Sequence, residues 1–125
     1  MAGPAAGDRA AILNGMQRGF DAAMGFRYTR VTLEEVAAEL TVGDIHLQQY
    51  GLVHGGVHAG LIEVLCSAGA AINAMAHGQA GSVGLENSTS FLRAVRQGVL
   101  RGTATPLHCG RRVAAGCGRC MGAVA

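Results

Sequence analysis

A single carboxylate, Glu63, lies in an otherwise almost uncharged stretch of the sequence that runs from Leu52 to Met75. The spacing of the apolar residues from Val57 onward predicts a buried helix over this stretch. Because an ionised carboxylate is costly to bury without a partner, its presence in such a helix indicates a specific role.

The triplet His54, Gly55 and Gly56 stands just before the first turn of the predicted helix. The first turn of a helix leaves backbone N–H groups free, and small residues let a ligand approach them closely. Such N–H groups can hold the negative charge that develops on a carbonyl oxygen. Together with Glu63, the triplet therefore predicts a centre for acyl transfer or hydrolysis.

The spacing of these two features favours a site that is shared between two chains. Gly55 and Glu63 are eight residues apart, which is roughly 12 Å along a straight helix. A reacting carbonyl must lie about 3 Å from both the N–H donor and the attacking group. Two helices packed antiparallel about a twofold axis bring Gly55 of one chain to Glu63 of the other.

The composition is that of one small globular domain. The chain has 125 residues, of which 50% are hydrophobic and 14% are charged, so we expect much of its surface to be buried, including against a partner subunit. The net charge of +2 is too small to indicate nucleic acid or a membrane surface as a partner. No basic segment followed by an apolar one begins the chain, so we expect a cytoplasmic protein with reduced cysteines.

The segment Val57–Met75 is the one stretch long enough to suggest a transmembrane helix. A carboxylate near the centre of a bilayer costs about 2–3 kcal/mol or more, and Glu63 stands near the centre of this segment. We therefore expect a buried helix of a soluble domain.

The remaining pattern predicts an α+β domain in which an antiparallel sheet wraps the long helix. A short amphipathic helix is predicted over Ala10–Phe20. Strands are predicted over Met24–Val31, Glu34–Val42, Ser82–Leu92 and Gly98–Leu107, with a polar loop over Gly43–Gly51. The chain thus divides into a flexible leader at residues 1–9, a domain at residues 10–112 and an atypical, glycine-rich tail at residues 113–125.

The cysteines near the C-terminus offer a second chemical interpretation. Cys109, Cys117 and Cys120, with His108, resemble the spacing of zinc ligands. A structural zinc site usually has two separated ligand pairs that enclose a loop, and only seven residues lie between Cys109 and Cys117. We therefore expect no metal site.

Several short motifs occur in a specific order: Gly51–Gly56, Glu63, Phe91–Arg93, Gly98 and Leu107–Arg112. This ordered set resembles the hotdog-fold acyl-CoA thioesterases, in the branch that contains the phenylacetate-pathway, 4-hydroxybenzoyl-CoA and 1,4-dihydroxy-2-naphthoyl-CoA thioesterases. The resemblance covers residues 25–112, most of the chain. It implies the hotdog fold and homodimers or homotetramers with active sites shared between subunits.

The chain departs from this family at two places. Phe91 stands where the dihydroxynaphthoyl-type members carry a histidine, so the resemblance does not extend to their substrate. The family continues after Arg112 with further strand sequence, whereas the tail here is rich in Gly and Ala. We therefore expect the last strand to be missing or degenerate, as in a truncated or frame-shifted terminus.

The resemblance also implies roles for individual residues. Glu63 would act as nucleophile or as general base toward water, and the N–H of Gly55 would polarise the thioester carbonyl. Gln48 and His54 would position the thioester. Substrate contacts are implied for Ser67 on the acyl side and for Arg93, His108, Gly110 and Arg111 near the phosphates of coenzyme A. No cofactor is implied, since coenzyme A is part of the substrate.

Structural roles are the alternative for several of these residues. Glu63 would then be a carboxylate paired with an arginine, His54 a helix cap, and Ser67 a packing residue. The leading functional hypothesis is a thioesterase that acts on an aryl or medium-chain acyl-CoA. The alternatives are a non-catalytic acyl-CoA-binding module on the same fold and a dehydratase or hydratase, although those enzymes usually arrange an Asp and a His differently.

Overall fold

The fold consists of one long helix packed against a four-stranded antiparallel sheet, in a computed structural model that describes residues 6–112 and 114–123. The strands lie in the order β1-β2-β3-β4. The elements are α1 (Ala6–Gly15), α2 (Gly19–Met24), β1 (Arg27–Val31), β2 (Val36–Thr41), a 3-10 turn (Asp44–His46), α3 (Gly55–Ala76), β3 (Val99–Cys109) and β4 (Ala114–Ala123). The predicted α+β class, with a long helix on an antiparallel sheet, is confirmed.

Strand β2 shows the alternation that its sequence predicts. Val36, Ala38 and Leu40 are buried on one face, whereas Thr41 is exposed. The strand pairs with β3, where Leu40 stands opposite Leu100. Since alternate residues of a strand point to the same face, this row of apolar residues forms the floor on which the long helix packs.

Helix α3 approaches the sheet closely because glycine lies beneath it. Leu61 and Leu65 are completely buried. A Cβ atom at Gly102 of β3 would lie 2.6 Å from Cδ1 of Leu65, closer than carbon atoms can approach, and a tight 3.2 Å from Cγ of Leu61. The missing side chain therefore lets the two leucines fill the core without displacing the helix.

The burial of α3 differs from the prediction, because only one face of the helix is covered. With 22 residues and a mean hydropathy of 1.5, it is long and apolar enough to cross a membrane, a test that the core helix of a soluble protein also passes. Within this chain only 17% of its most apolar window is buried. The helix that was expected to be buried is therefore covered on one face only, and its other face lines a groove.

The tail forms a strand where a missing or degenerate one was expected. Strand β4 pairs with β3 from Val99 opposite Ala123 to Cys109 opposite Ala114. Its glycines fit the space available, since a Cβ at Gly118 would lie 2.9 Å from Cγ2 of Ile62 on α3. The last strand is therefore present, because its backbone pairs with β3. Its small residues allow helix α3 to approach closely. Residues 113, 124 and 125 lie outside the described part of the chain.

The N-terminal part differs from the single predicted helix over Ala10–Phe20. The chain forms two helices, α1 and α2, because Gly19 adopts a φ of 58° that interrupts a continuous helix. Gly25 ends α2 with a φ of 76°, so β1 starts later than the predicted Met24. Of the expected flexible leader at residues 1–9, residues 1–5 lie outside the described residues and residues 6–9 belong to α1.

The predicted strand Ser82–Leu92 is wrong, since no strand is found there within the described residues. This part of the chain, here named the return segment (residues 82–92), runs back along α3. Gly84 lies against Glu63 at one end and Phe91 against Gly55 at the other. The apolar and polar residues alternate as in a strand, but a strand also needs the backbone of a neighbouring strand for its hydrogen bonds. The return segment lies beside a helix instead.

A buried histidine, His46, holds the loop that precedes α3. Its Nδ1 accepts from the N–H of Gly43 at 2.8 Å, and its Nε2 lies 2.8 Å from the carbonyl oxygen of Met24. Because Nδ1 accepts, Nε2 carries the proton and donates to that carbonyl. His46 thus joins the loop to the end of α2, a structural role that the sequence did not predict.

The packing of β4 on α3 can be tested at Gly118. We expect Gly118→Ala to lower the free energy of unfolding by about 1–3 kcal/mol, because the new methyl group is forced against Ile62. The control is Gly15→Ala, where nothing lies within 4 Å of the added atom. Thermal and urea unfolding measure both variants. Equal stabilities for the two variants would contradict the close contact between β4 and α3.

Candidate active site

Both oxygen atoms of the Glu63 carboxylate accept hydrogen bonds in the groove beside α3. The hydroxyl of Ser67, one helical turn later, donates to Oε1 at 2.8 Å. The amide Nδ2 of Asn87, in the return segment, donates to Oε2 at 3.2 Å. Glu63 is half-buried and makes no ion pair with an arginine among the described residues. The alternative of a carboxylate paired with an arginine therefore finds no partner in the part of the chain that the structure describes.

The start of α3 carries one backbone donor that is not used. His54 is the N-cap, and its Nδ1 accepts from the N–H of Gly56 at 2.8 Å. The N–H of Val57 donates to the carbonyl oxygen of His54 at 2.9 Å. The N–H of Gly55 has no acceptor within the described residues. The predicted oxyanion donor is thus available, and the structural alternative for His54, a helix cap, is what the structure shows.

Gln48 lies in the loop before α3 with its side-chain oxygen already used. Oε1 accepts from the N–H groups of Tyr50 and, at 3.4 Å, Leu52. These bonds stabilise the loop and fix the orientation of the side-chain amide. The Nε2 atom of Gln48 makes no hydrogen bond to the part of the chain that the structure describes. Gln48 therefore has a donor left to offer a ligand.

An aromatic pair lies beside the first turn of α3. A Cβ atom added to Gly55 would lie 3.1 Å from Cζ of Phe91, so this ring covers the helix start. The ring centroid of His58 is 6.1 Å from that of Phe91, with the ring planes tilted by 58°. Burial lowers the pKa of His58 below its ordinary value of 6.5, and the imidazole is therefore neutral at pH 7. The sequence did not predict a role for His58.

Three of the four predicted phosphate-binding residues, His108, Gly110 and Arg111, line one pocket, and Arg93 lies outside it. A pocket of about 700 Å³ is lined by Gln79, His108, Gly110, Arg111 and Arg112. The Nε2 of Gln79 donates to the carbonyl oxygen of Arg111 at 2.6 Å. Arg93 and Arg111 are exposed and form no ion pair among the residues described. Their guanidinium groups therefore remain available for an anion.

The structure brings some of the predicted residues together and separates others. An open groove of about 1720 Å³ runs along α3, and its walls include Glu63, Ser67, Arg93, Gly110 and Arg111. Three further predicted residues, Gln48, His54 and Gly55, are not among the residues that line this groove. Glu63 thus shares one groove with Arg93, Gly110 and Arg111, whereas Gly55 with its unused N–H does not line this groove.

The zinc interpretation gains no support from the described residues. Among them, no three side chains of His, Cys, Asp or Glu lie close enough together to hold a metal ion. Cys109 is an exposed free thiol, whereas the side chains of Cys117 and Cys120 lie outside the described part of the structure.

Comparison with known sequences identifies a family and several relatives of this chain. The model of the thioesterase superfamily matches residues 50–116, just over half of the chain. A Mycobacterium tuberculosis protein named as an esterase, Rv1847, is 42% identical over 94 residues, covering 74% of this chain and 67% of that protein. The proofreading thioesterase EntH of Cronobacter turicensis is 40% identical over 89 residues, covering 71% of this chain and 64% of EntH.

Comparison with solved structures gives the same fold. Zebrafish thioesterase superfamily member 2 has a TM-score of 0.80 at 18% identity, covering 96% of this chain and 88% of that one. The thioesterase HI1161 of Haemophilus influenzae has a TM-score of 0.79 at 23% identity, covering 90% and 78%. The long helix and antiparallel sheet described above are thus the hotdog fold.

Substitution of His54 tests the N-cap at the start of the candidate site. We expect His54→Ala to lower the free energy of unfolding by about 1 kcal/mol, because the N–H of Gly56 loses its acceptor. His54→Asn should restore most of that loss, since asparagine is a good N-cap. Urea unfolding of the three proteins measures the difference. If the Asn variant is as unstable as the Ala variant, the cap is not what His54 contributes.

Proposed function

Because the chain belongs to the thioesterase superfamily, we propose that it hydrolyses an aryl or medium-chain acyl-CoA to the free acid and coenzyme A. The observation that carries this proposal is the Glu63 carboxylate, which lies in an open groove with a hydrogen bond to each oxygen. Such a carboxylate is oriented and within reach of a ligand.

The chemistry requires little beyond this carboxylate and one oxyanion donor. A thioester is already activated, because its thiolate leaving group belongs to a thiol whose pKa is about 8.5 for free cysteine. Glu63 either attacks the carbonyl carbon and forms an anhydride that water then cleaves, or removes a proton from the attacking water. In both routes the C–S bond breaks, and the coenzyme leaves as the thiolate.

The oxyanion donor in this proposal is the N–H of Gly55 from a second copy of the chain. Within one helix, Gly55 and Glu63 are separated by roughly 12 Å, too far to reach one carbonyl group. The uncovered face of α3 and the exposed apolar residues of the return segment, Val83 and Leu85, supply surface for such a partner. We therefore propose a homodimer, or a homotetramer built from dimers, with shared active sites.

The groove offers groups for both parts of an acyl-CoA. Arg93 and Arg111 would contact the phosphates, because guanidinium groups without a carboxylate partner bind phosphate readily. The rings of Phe91 and His58 offer an aromatic wall beside the Gly55 N–H. This wall favours an aryl group within the proposed range of acyl chains, since aromatic rings stack and pack edge to face.

The proposal is tested with a panel of aryl and medium-chain acyl-CoA substrates and the Glu63→Gln variant. We expect the release of free thiol by the wild type and a fall in kcat of about 10²–10⁴-fold in the variant, because the amide neither attacks nor accepts a proton. Glu86→Gln is the matched control, since this carboxylate is exposed on the same return segment.

Two other outcomes would contradict the hydrolase proposal. Binding of acyl-CoA by both proteins with no thiol released by either would favour the non-catalytic binding module. Equal rates for the wild type and Glu63→Gln would show that the reaction does not depend on this carboxylate.

A further inference from the structure

The amide of Asn87 joins the return segment to two acceptors on α3. Its Nδ2 lies 3.2 Å from Oε2 of Glu63 and 3.0 Å from the carbonyl oxygen of Ala59. Asn87 and Glu63 are 24 residues apart in sequence. Neither the chain composition nor the spacing of the motifs indicates this residue.

The orientation of the Asn87 amide follows from its partners. A carboxylate and a backbone carbonyl can only accept hydrogen bonds, so the NH₂ group must face Glu63 and Ala59. The hydroxyl of Thr89 donates to the other end of the amide, Oδ1, at 2.5 Å. A flipped amide would lose both bonds to α3, and this set of contacts therefore selects one orientation.

Two donors from different elements together hold the carboxylate plane of Glu63. The terminal torsion of a glutamate is broad, so a single hydrogen bond leaves the group free to rotate. Ser67 holds Oε1 from the helix itself, and Asn87 holds Oε2 from the opposite side. Gly84 permits this approach, because a Cβ there would lie 2.7 Å from Oε1.

We propose that Asn87 is a positioning residue for the thioester hydrolysis. It fixes the plane of the Glu63 carboxylate, and Thr89 in turn fixes the amide of Asn87. Neither residue needs to touch the substrate, since the effect passes through the carboxylate. This inference rests on the proposed function, because it requires Glu63 to be the group that reacts.

The test compares Asn87→Ala with Ser88→Ala, a neighbouring exposed residue without a hydrogen bond among the described residues. We expect Asn87→Ala to lower kcat about tenfold to a hundredfold, the usual effect of losing a hydrogen bond to a charged group, with KM changed less than about twofold. Ser88→Ala should keep the wild-type kcat. Asn87→Asp, which keeps the shape but loses the donor, should lose at least as much rate as Asn87→Ala.

A second measurement separates positioning from a purely structural effect. In the Glu63→Gln background, Asn87→Ala should change the residual rate by less than about twofold, because the carboxylate that it orients is absent. Thermal melting of each variant shows whether the fold is kept. If Asn87→Ala unfolds, Asn87→Asp replaces it in both comparisons.

Distinct outcomes overturn the inference and the proposed function. If Glu63→Gln is inactive but Asn87→Ala and Asn87→Asp keep the wild-type kcat, the inference is wrong and the proposed function stands. An equal loss from Asn87→Ala in both backgrounds would make Asn87 a structural residue. If the wild type releases no thiol, or Glu63→Gln is fully active, the proposed function fails and the inference fails with it.

Discussion

The packing of α3 on the sheet is the constraint on which the rest of the structure depends. Leu61 and Leu65 are completely buried, and Gly102 beneath them has no Cβ to hold the helix away. Since successive residues are about 100° apart around a helix, Glu63 lies roughly 200° from both leucines and is turned away from the sheet. The contact that forms the core therefore also places the carboxylate in the groove.

A carboxylate placed on an apolar helix face needs donors from nearby elements, and the hotdog fold of this chain provides them locally. Ser67 donates from the next turn of α3, and Asn87 donates from the return segment that runs back along the helix. At the start of the same helix, His54 satisfies the N–H of Gly56 and leaves that of Gly55 without an acceptor. The two halves of the proposed thioesterase centre thus occur on one helix, roughly 12 Å apart, and the proposal therefore joins them through a second chain.

The parts of the fold that depend on local pattern could be predicted from the sequence. Strand β2 alternates as expected over Glu34–Val42, and the isolation of Glu63 in an apolar helix marked the candidate site. The parts that depend on contacts between residues far apart in sequence could not be predicted in this way. Strand β4 has weak strand propensity, yet Gly118 suits the space left by α3. The segment Ser82–Leu92 alternates like a strand but lies on a helix, and this placement is what brings Asn87 to the carboxylate.

The most direct test of the shared site mixes two inactive variants, Glu63→Gln and Gly55→Pro. Proline is tolerated at the first position of a helix, where it removes the N–H, and the extended backbone of His54 suits a following proline. Gly55→Ala, which keeps the N–H, is the control for the added bulk. If each site combines Gly55 of one chain with Glu63 of the other, the refolded mixture should regain about one quarter of the wild-type rate. No recovery, with mixed dimers demonstrated by native mass spectrometry, would contradict a site built from two chains.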